Sequence, residues 1–197
     1  KVFLYISIMI IVLISGTRYN TGDDFYNYHI FYTEQLPQSL EPLFKLSIKF
    51  LNIFSSDSQL MFFTYSFVTI LLTYFSITKM TKYIKTSMLI FLLIPGLYLN
   101  SFSIIRQSLA EAFLLIAIYY LIYKNKKLGF FLFSFIAIAF HYSAIIPFLI
   151  IFFLKRVLVI KYSIFIYLTV LIISIFLYKM NIGSILISLL PERFSIY

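Results

Sequence analysis

Residues 124–156 read KNKKLGFFLFSFIAIAFHYSAIIPFLIIFFLKR. The apolar run from Leu128 to Leu154 is closed at both ends by basic residues and interrupted once, at Phe140-His141-Tyr142-Ser143. It is about 27 residues long, whereas one membrane span needs about 20 residues and two need about 40. Lysines and arginines in short loops mark the cytoplasmic side of a membrane protein, so both ends of the run belong on the same side. We therefore expect a hairpin of two short helices whose turn, near His141-Tyr142-Ser143, lies part-way into the membrane from the outer side. Irregular backbone at that depth persists only where protein or a water-filled cavity surrounds it. The competing reading is a single long, tilted span, which would leave Lys155 outside against the charge rule.

The same rule extends to the whole chain. Lys79, Lys82 and Lys85 form one cluster, Lys124, Lys126 and Lys127 a second, and Lys155, Arg156 and Lys161 a third, with no Asp or Glu in any of them. Of the residues, 62% are hydrophobic and 12% charged, and mean hydropathy is +0.98. A soluble domain carries about 25% charged residues, so the composition specifies an integral membrane protein. The net charge of +9 is matched by the nine basic residues of the loop clusters, which removes the case for a nucleic-acid partner. With no cysteine and two histidines, neither a disulfide framework nor a cysteine-based metal site can form.

Residues 1–197 read as a single integral membrane domain. We expect it to be a fragment of a longer polytopic protein, because it begins at Lys1 without methionine and stops at Tyr197 just after a polar motif. Val2 to Ser15 is followed by no small-residue cleavage site and reads as a span rather than a signal peptide. From Gly16 to residue 59 runs a long outer segment with turn residues up to about Tyr28. Within it Glu41-Pro42 looks like a helix start, and Pro42 to Phe54 puts Lys45, Lys49 and Asn52 on one face. At roughly 20 Å this helix is too short to span and suits the membrane interface, where Lys45 and Lys49 would meet lipid headgroups. Leu60 to Thr78 then runs inward, Ser87 to Asn100 outward and Gln107 to Tyr123 inward. After the hairpin, Tyr162 to Tyr178 runs outward and leaves Pro191 to Tyr197 on the outer face. The expected fold is all-α, a polytopic transmembrane helix bundle with an interfacial helix in its first outer loop and a short broken hairpin.

This topology gathers Arg18, Asp23, Asp24, Glu41, Arg106, His141 and Arg193 on one side. Arg106 is the leading candidate, because it opens a helix whose free N–H groups and dipole favour anions, and its fork matches phosphate oxygens. The competing reading is an arginine that snorkels to lipid headgroups. Gln107 and Glu111 fall one turn apart on a common face, and Glu111, costly inside an apolar run unless paired, could fix Arg106 or another basic group, or be protonated. His141, at the proposed turn, could take a proton from a hydroxyl or simply satisfy backbone groups at a helix break. Asp23 and Asp24 could bind sugar hydroxyls, act as a base or hold a divalent metal, or be solvated turn formers.

Several motifs occur in order along the chain: Arg18 with Gly22-Asp23 and Tyr28; Glu41-Pro42-Leu43-Phe44; Ile105-Arg106-Gln107-Ser108-Leu109-Ala110; Phe140-His141-Tyr142-Ser143-Ala144; and Pro191-Glu192-Arg193-Phe194 with Tyr197. In this order they resemble the EpsG family of bacterial membrane proteins, related in role to the Wzy polysaccharide polymerases. The resemblance implies a glycosyltransferase of the bacterial cytoplasmic membrane that polymerises undecaprenyl-diphosphate-linked oligosaccharide repeat units at the outer face. In that scheme Arg106, with Arg18 or Arg193, stabilises the departing lipid diphosphate, and His141 or Asp23 accepts the proton of the attacking hydroxyl. Asp24, Tyr28, Glu41, Gln107 and Tyr197 are expected to join Arg18 and Arg193 in binding substrate. The partners implied are lipid-linked donor and acceptor, membrane lipid, a flippase and a chain-length regulator, and the scheme uses no metal or cofactor. Two alternatives stay open: a transferase using a polyprenyl-monophosphate sugar, and a non-catalytic transporter or flippase of lipid-linked glycan. Exopolysaccharide, capsule and O-antigen are not separated by the residues.

Overall fold

The structure, a computed structural model, describes residues 2–34 and 36–158. Lys161, the run from Tyr162 to Tyr178 and the motif Pro191 to Tyr197, with Arg193, lie outside the described residues. The chain divides into two compact units, Lys1–Phe152 and Phe153–Tyr197.

All regular elements among the described residues are helical: α1 (Val2–Gly16), α2 (Phe25–Thr33), α3 (Pro42–Leu51), α4 (Gln59–Met80), α5 (Ile84–Leu93), α6 (Ile105–Ile118), α7 (Lys127–Phe140) and α8 (Ile145–Leu158). Short 3-10 turns at Leu99–Phe102 and Tyr142–Ala144 precede α6 and α8, and a π turn, Tyr119–Tyr123, prolongs α6. Two of these helices are long and apolar enough to cross a membrane, Gln59–Met80 and the continuous Ile105–Tyr123. α6 is the hub, packed on α4 and α7, while α4 also packs on α1. Above this frame α2 and α3 share one core with α4 and α6, made of Tyr28, Tyr32, Phe44, Ile48, Phe62 and Leu109 among others.

The apolar run that begins at Leu128 is broken after Phe140. α7 ends where His141 takes φ −156° and ψ 116°, extended values that no helix can continue. The returning α8 lies along α7, with the Phe148 ring 6.3 Å from that of Phe135 and the Phe152 ring 5.6 Å from that of Phe131. A pairing in which one residue number rises as the other falls describes two antiparallel helices, not one long span. Pro147 falls in the first turn of α8, where its missing N–H costs nothing.

Three boundaries differ from expectation. α2 occupies a stretch that reads as turns, because Phe25, Tyr28 and Tyr32 fall on one buried face at helical spacing. α3 stops at Leu51, short of Phe54. The outward run expected from Ser87 to Asn100 is a helix only from Ile84 to Leu93. Ile94, which precedes Pro95, sits at ψ 111°, since the proline ring excludes the helical region from its neighbour.

Candidate functional site

Glu41 stands immediately before α3, with Pro42 at the first helical position and no hydrogen bond from its side chain to its own helix. Its carboxylate turns instead toward α6 and the α7–α8 break. One oxygen, Oε2, accepts a hydrogen bond from Arg106 Nη1 at 2.5 Å, and the other, Oε1, lies 2.9 Å from His141 Nδ1. The backbone N–H of Tyr142 reaches the same Oε1 at 3.4 Å. The helix break thus exposes a backbone donor that the site's own carboxylate accepts. The side chains of Glu41, Arg106 and His141 are 5%, 14% and 24% exposed, so the carboxylate forms the floor and the imidazole the rim.

Aromatic rings hold the guanidinium. Its carbon lies 5.2 Å from the Phe44 ring centroid and 5.7 Å from that of Tyr28, geometry in which the ring faces attract a cation. Arg106 Nε also donates to the Tyr28 hydroxyl at 3.4 Å. Tyr28 and Phe44 face one another edge-on and are both buried. Burial pushes the Tyr28 phenol up, with the Arg106 charge opposing, so a neutral hydroxyl oxygen meets the cation at physiological pH. Burial also acts on Glu41, pushing its carboxyl up as the largest single influence. The hydrogen bond from His141 and the charge of Arg106, with smaller contributions, outweigh it and hold the carboxyl down at about 2. Glu41 is therefore an anion throughout the physiological range.

The contacts of the other candidates fix their places in the structure, and both oxygens of Glu41 are engaged within the protein. Glu111 does not fix Arg106: it lies five residues on, over a third of a turn around the helix. It accepts instead from Gln107 Nε2 at 2.9 Å, which places Gln107 in that pair rather than in the cluster. Arg18 is buried between the rings of Phe62 and Phe102, 5.1 and 4.9 Å from their centroids. It donates to the Ser15 carbonyl at 3.0 Å and to Ser66 Oγ at 3.4 Å, and burial pulls its pKa down to about 10, leaving it protonated. Its other two guanidinium nitrogens, Nε and Nη2, are buried and meet no hydrogen-bond partner among the described residues. Asp24 precedes α2 and accepts from Asn27, while the exposed Asp23 uses its backbone N–H on Ser103 Oγ; among the described residues neither is in an ion pair. Among the described residues, no three His, Cys, Asp or Glu side chains group to hold a metal ion.

The reading of the sequence missed Phe44 as a wall of the site, together with Tyr65, whose hydroxyl hydrogen-bonds Ser47 behind it. Phe44 is legible in retrospect from its position three residues after Glu41, one turn into α3.

Regular structure that is all helical among the described residues, two helices long and apolar enough to cross a membrane, and an arginine and an imidazole joined by one buried carboxylate point to a membrane protein. The chain belongs to the EpsG family, whose model matches residues 1–197. With that membership comes a role in polysaccharide biosynthesis. Searches of curated proteins and of solved structures returned no match to this chain.

Proposed function

We propose that this protein polymerises polysaccharide at the outer face of the bacterial cytoplasmic membrane, as a multi-pass glycosyltransferase joining undecaprenyl-diphosphate-linked oligosaccharide repeat units. The observation that carries the reading is the Glu41 bridge between Arg106 and His141. A carboxylate at Nδ1 fixes the imidazole tautomer with its proton there, which leaves Nε2 as the basic nitrogen. This is the arrangement a general base requires.

In the reaction, a sugar hydroxyl of one lipid-linked chain attacks the anomeric carbon of another. The new bond from oxygen to the anomeric carbon forms as the bond from that carbon to the diphosphate oxygen breaks. The diphosphate departs with the electron pair, and His141 Nε2 takes the hydroxyl proton. Negative charge therefore grows on the diphosphate. Arg106, at the opening of α6, answers it with its charge and with Nη2, which makes no hydrogen bond to the described residues. Preorganised donors of this kind are worth about 100- to 1,000-fold in rate. Glu41 is a positioning residue, as it touches both reacting-side groups without facing the substrate.

The test is the size ladder of surface polysaccharide in cells whose only copy of the full-length gene carries Arg106→Ala, with protein level checked by blotting. At normal protein level the ladder is expected to collapse to a single repeat unit. An unchanged ladder would leave Arg106 a structural partner of Glu41 and remove the centre of the mechanism.

A further inference from the structure

Between α4, α5, α6 and the turn before α6 lies a cavity of about 310 Å³. Six of its lining residues carry side-chain oxygen: Thr69 and Thr73 on α4, Ser87 on α5, Ser101 in the turn, and Ser108 and Glu111 on α6. The other six are apolar. At about 100° per residue, Ser108 and Glu111 fall on the side of α6 turned away from Arg106. Thr73 is 4% exposed, and Thr69 and Ser108 are each 7% exposed. Their hydroxyls nevertheless make no hydrogen bond to the described residues and open on the cavity that they line. Glu111 lies about 9 Å along α6 from its first residue. Gln107 Nε2 donates to its Oε1 at 2.9 Å, while Oε2 meets no hydrogen-bond donor among the described residues. A carboxylate at membrane depth is costly unless a positive charge meets it, and no described Lys, Arg or His lines the cavity.

We propose that this cavity holds a partly hydrated alkali cation, sodium or potassium, at the Glu111 carboxylate, with the hydroxyls of Thr69, Thr73 and Ser108 as its neutral ligands. Hard oxygen donors suit hard cations rather than transition metals. One carboxylate balances one positive charge, whereas a divalent ion would leave net charge among apolar walls, where desolvation is expensive. Water alone would satisfy the hydroxyls but not the charge. The volume leaves room for an ion with several waters, since each water takes about 30 Å³. A second cavity, of about 10 Å³, adjoins the first through Thr69 and Ser101 and reaches Ser66, which accepts from Arg18. The Arg18 charge at that end repels a cation, so the seat is at the Glu111 end. The site stands apart from the polymerase reading. An ion there ties α6 to α4 from behind and so steadies the helix that opens with Arg106.

The test is direct ion binding to the purified full-length protein in phosphatidylcholine nanodiscs, read by scintillation proximity. Sodium-22 chloride is titrated in one series and rubidium-86 chloride, the potassium probe, in another, with choline chloride holding the ionic strength constant. The expected result is saturable binding of at least one of the two ions, displaced by excess unlabelled alkali chloride and not by choline. Glu111→Gln keeps the shape and removes the charge, and should weaken binding about tenfold or more, since charge-assisted contacts are the strong ones. Thr73→Val keeps the shape and removes a hydroxyl without a partner, so it should fold normally and bind severalfold more weakly even if Glu111→Gln folds poorly. Asp57→Asn, at an exposed acid outside the cavity, should bind as the wild type does. Absence of saturable binding for both ions would overturn the proposal. So would wild-type affinity in Glu111→Gln or Thr73→Val, or displacement by calcium at concentrations where sodium and potassium fail.

Discussion

Glu41 gives the clearest consequence at the scale of single residues. Its folded value of about 2 lies below the ordinary 4.5 of a glutamate. Stability linked to its charge is therefore fully present above pH 4.5 and disappears as the pH falls toward 2, because the unfolded chain takes up the proton first. Glu41→Gln keeps the shape and removes the charge. The melting temperature of the wild type should fall more steeply than that of Glu41→Gln across that window, followed by scanning calorimetry of the purified protein. At neutral pH the variant should be less stable, since Arg106 loses its only ionic partner among the described residues; breaking a buried pair costs on the order of 3 kcal/mol. Parallel pH curves would mean that the bridge carries no stability. In the sequence, Arg106 and His141 were legible because each stands at an end or break of an apolar run. Their link through Glu41 was not, since it joins positions 65 and 100 residues apart, a pairing that only the packing of α3 against α6 and α7 creates.

Among the elements, α2 shows what local reading lacks. Gly, Thr, Asn and Asp around residues 16–24 signal turns, and a turn is there: Gly22 has φ +98° and ends the loop that enters α2. A Cβ at Gly22 would lie 2.3 Å from the Phe102 carbonyl oxygen, so the loop closes backbone to backbone against the turn before α6. Gly22→Ala meets both the wrong dihedral and a rigid obstacle. We expect a loss of about 2 kcal/mol or more, seen as a drop in melting temperature, with displacement of the Tyr28 wall lowering polymerisation as well. A variant as stable as the wild type would show that the loop does not depend on that approach. The α7–α8 hairpin was legible because its length and flanking charges allowed little else. The early end of α5 was overlooked, although Pro95 marks it.

For the molecule as a whole, the charge pattern makes a topological claim that thiol chemistry can read. Ser39 lies in the segment expected outside and Lys126 in a basic loop expected inside, and both are exposed. In intact cells a membrane-impermeant maleimide should label Ser39→Cys, and should label Lys126→Cys only after permeabilisation. The reverse pattern would turn the site to the cytoplasm and contradict the proposed function. Composition alone specified a helical membrane protein, because 12% charge cannot cover a water-facing surface. Which residues of the outer side meet was beyond composition. Asp23, Asp24 and Arg18 are expected on that side with Arg106, yet among the described residues only Glu41 pairs ionically with Arg106, and His141 hydrogen-bonds the same carboxylate.

The central claim is that Glu41 makes Arg106 and His141 one catalytic unit. The most direct measurement is the rate of chain extension by purified full-length protein carrying Glu41→Gln, His141→Ala or both, with lipid-linked repeat units as substrate. If the bridge acts through His141, each single change should slow extension by about 100-fold and the double change by little more than the worse single, because groups acting as one unit are strongly non-additive. Losses that multiply in the double variant, or single variants that extend chains at the wild-type rate, would contradict the account.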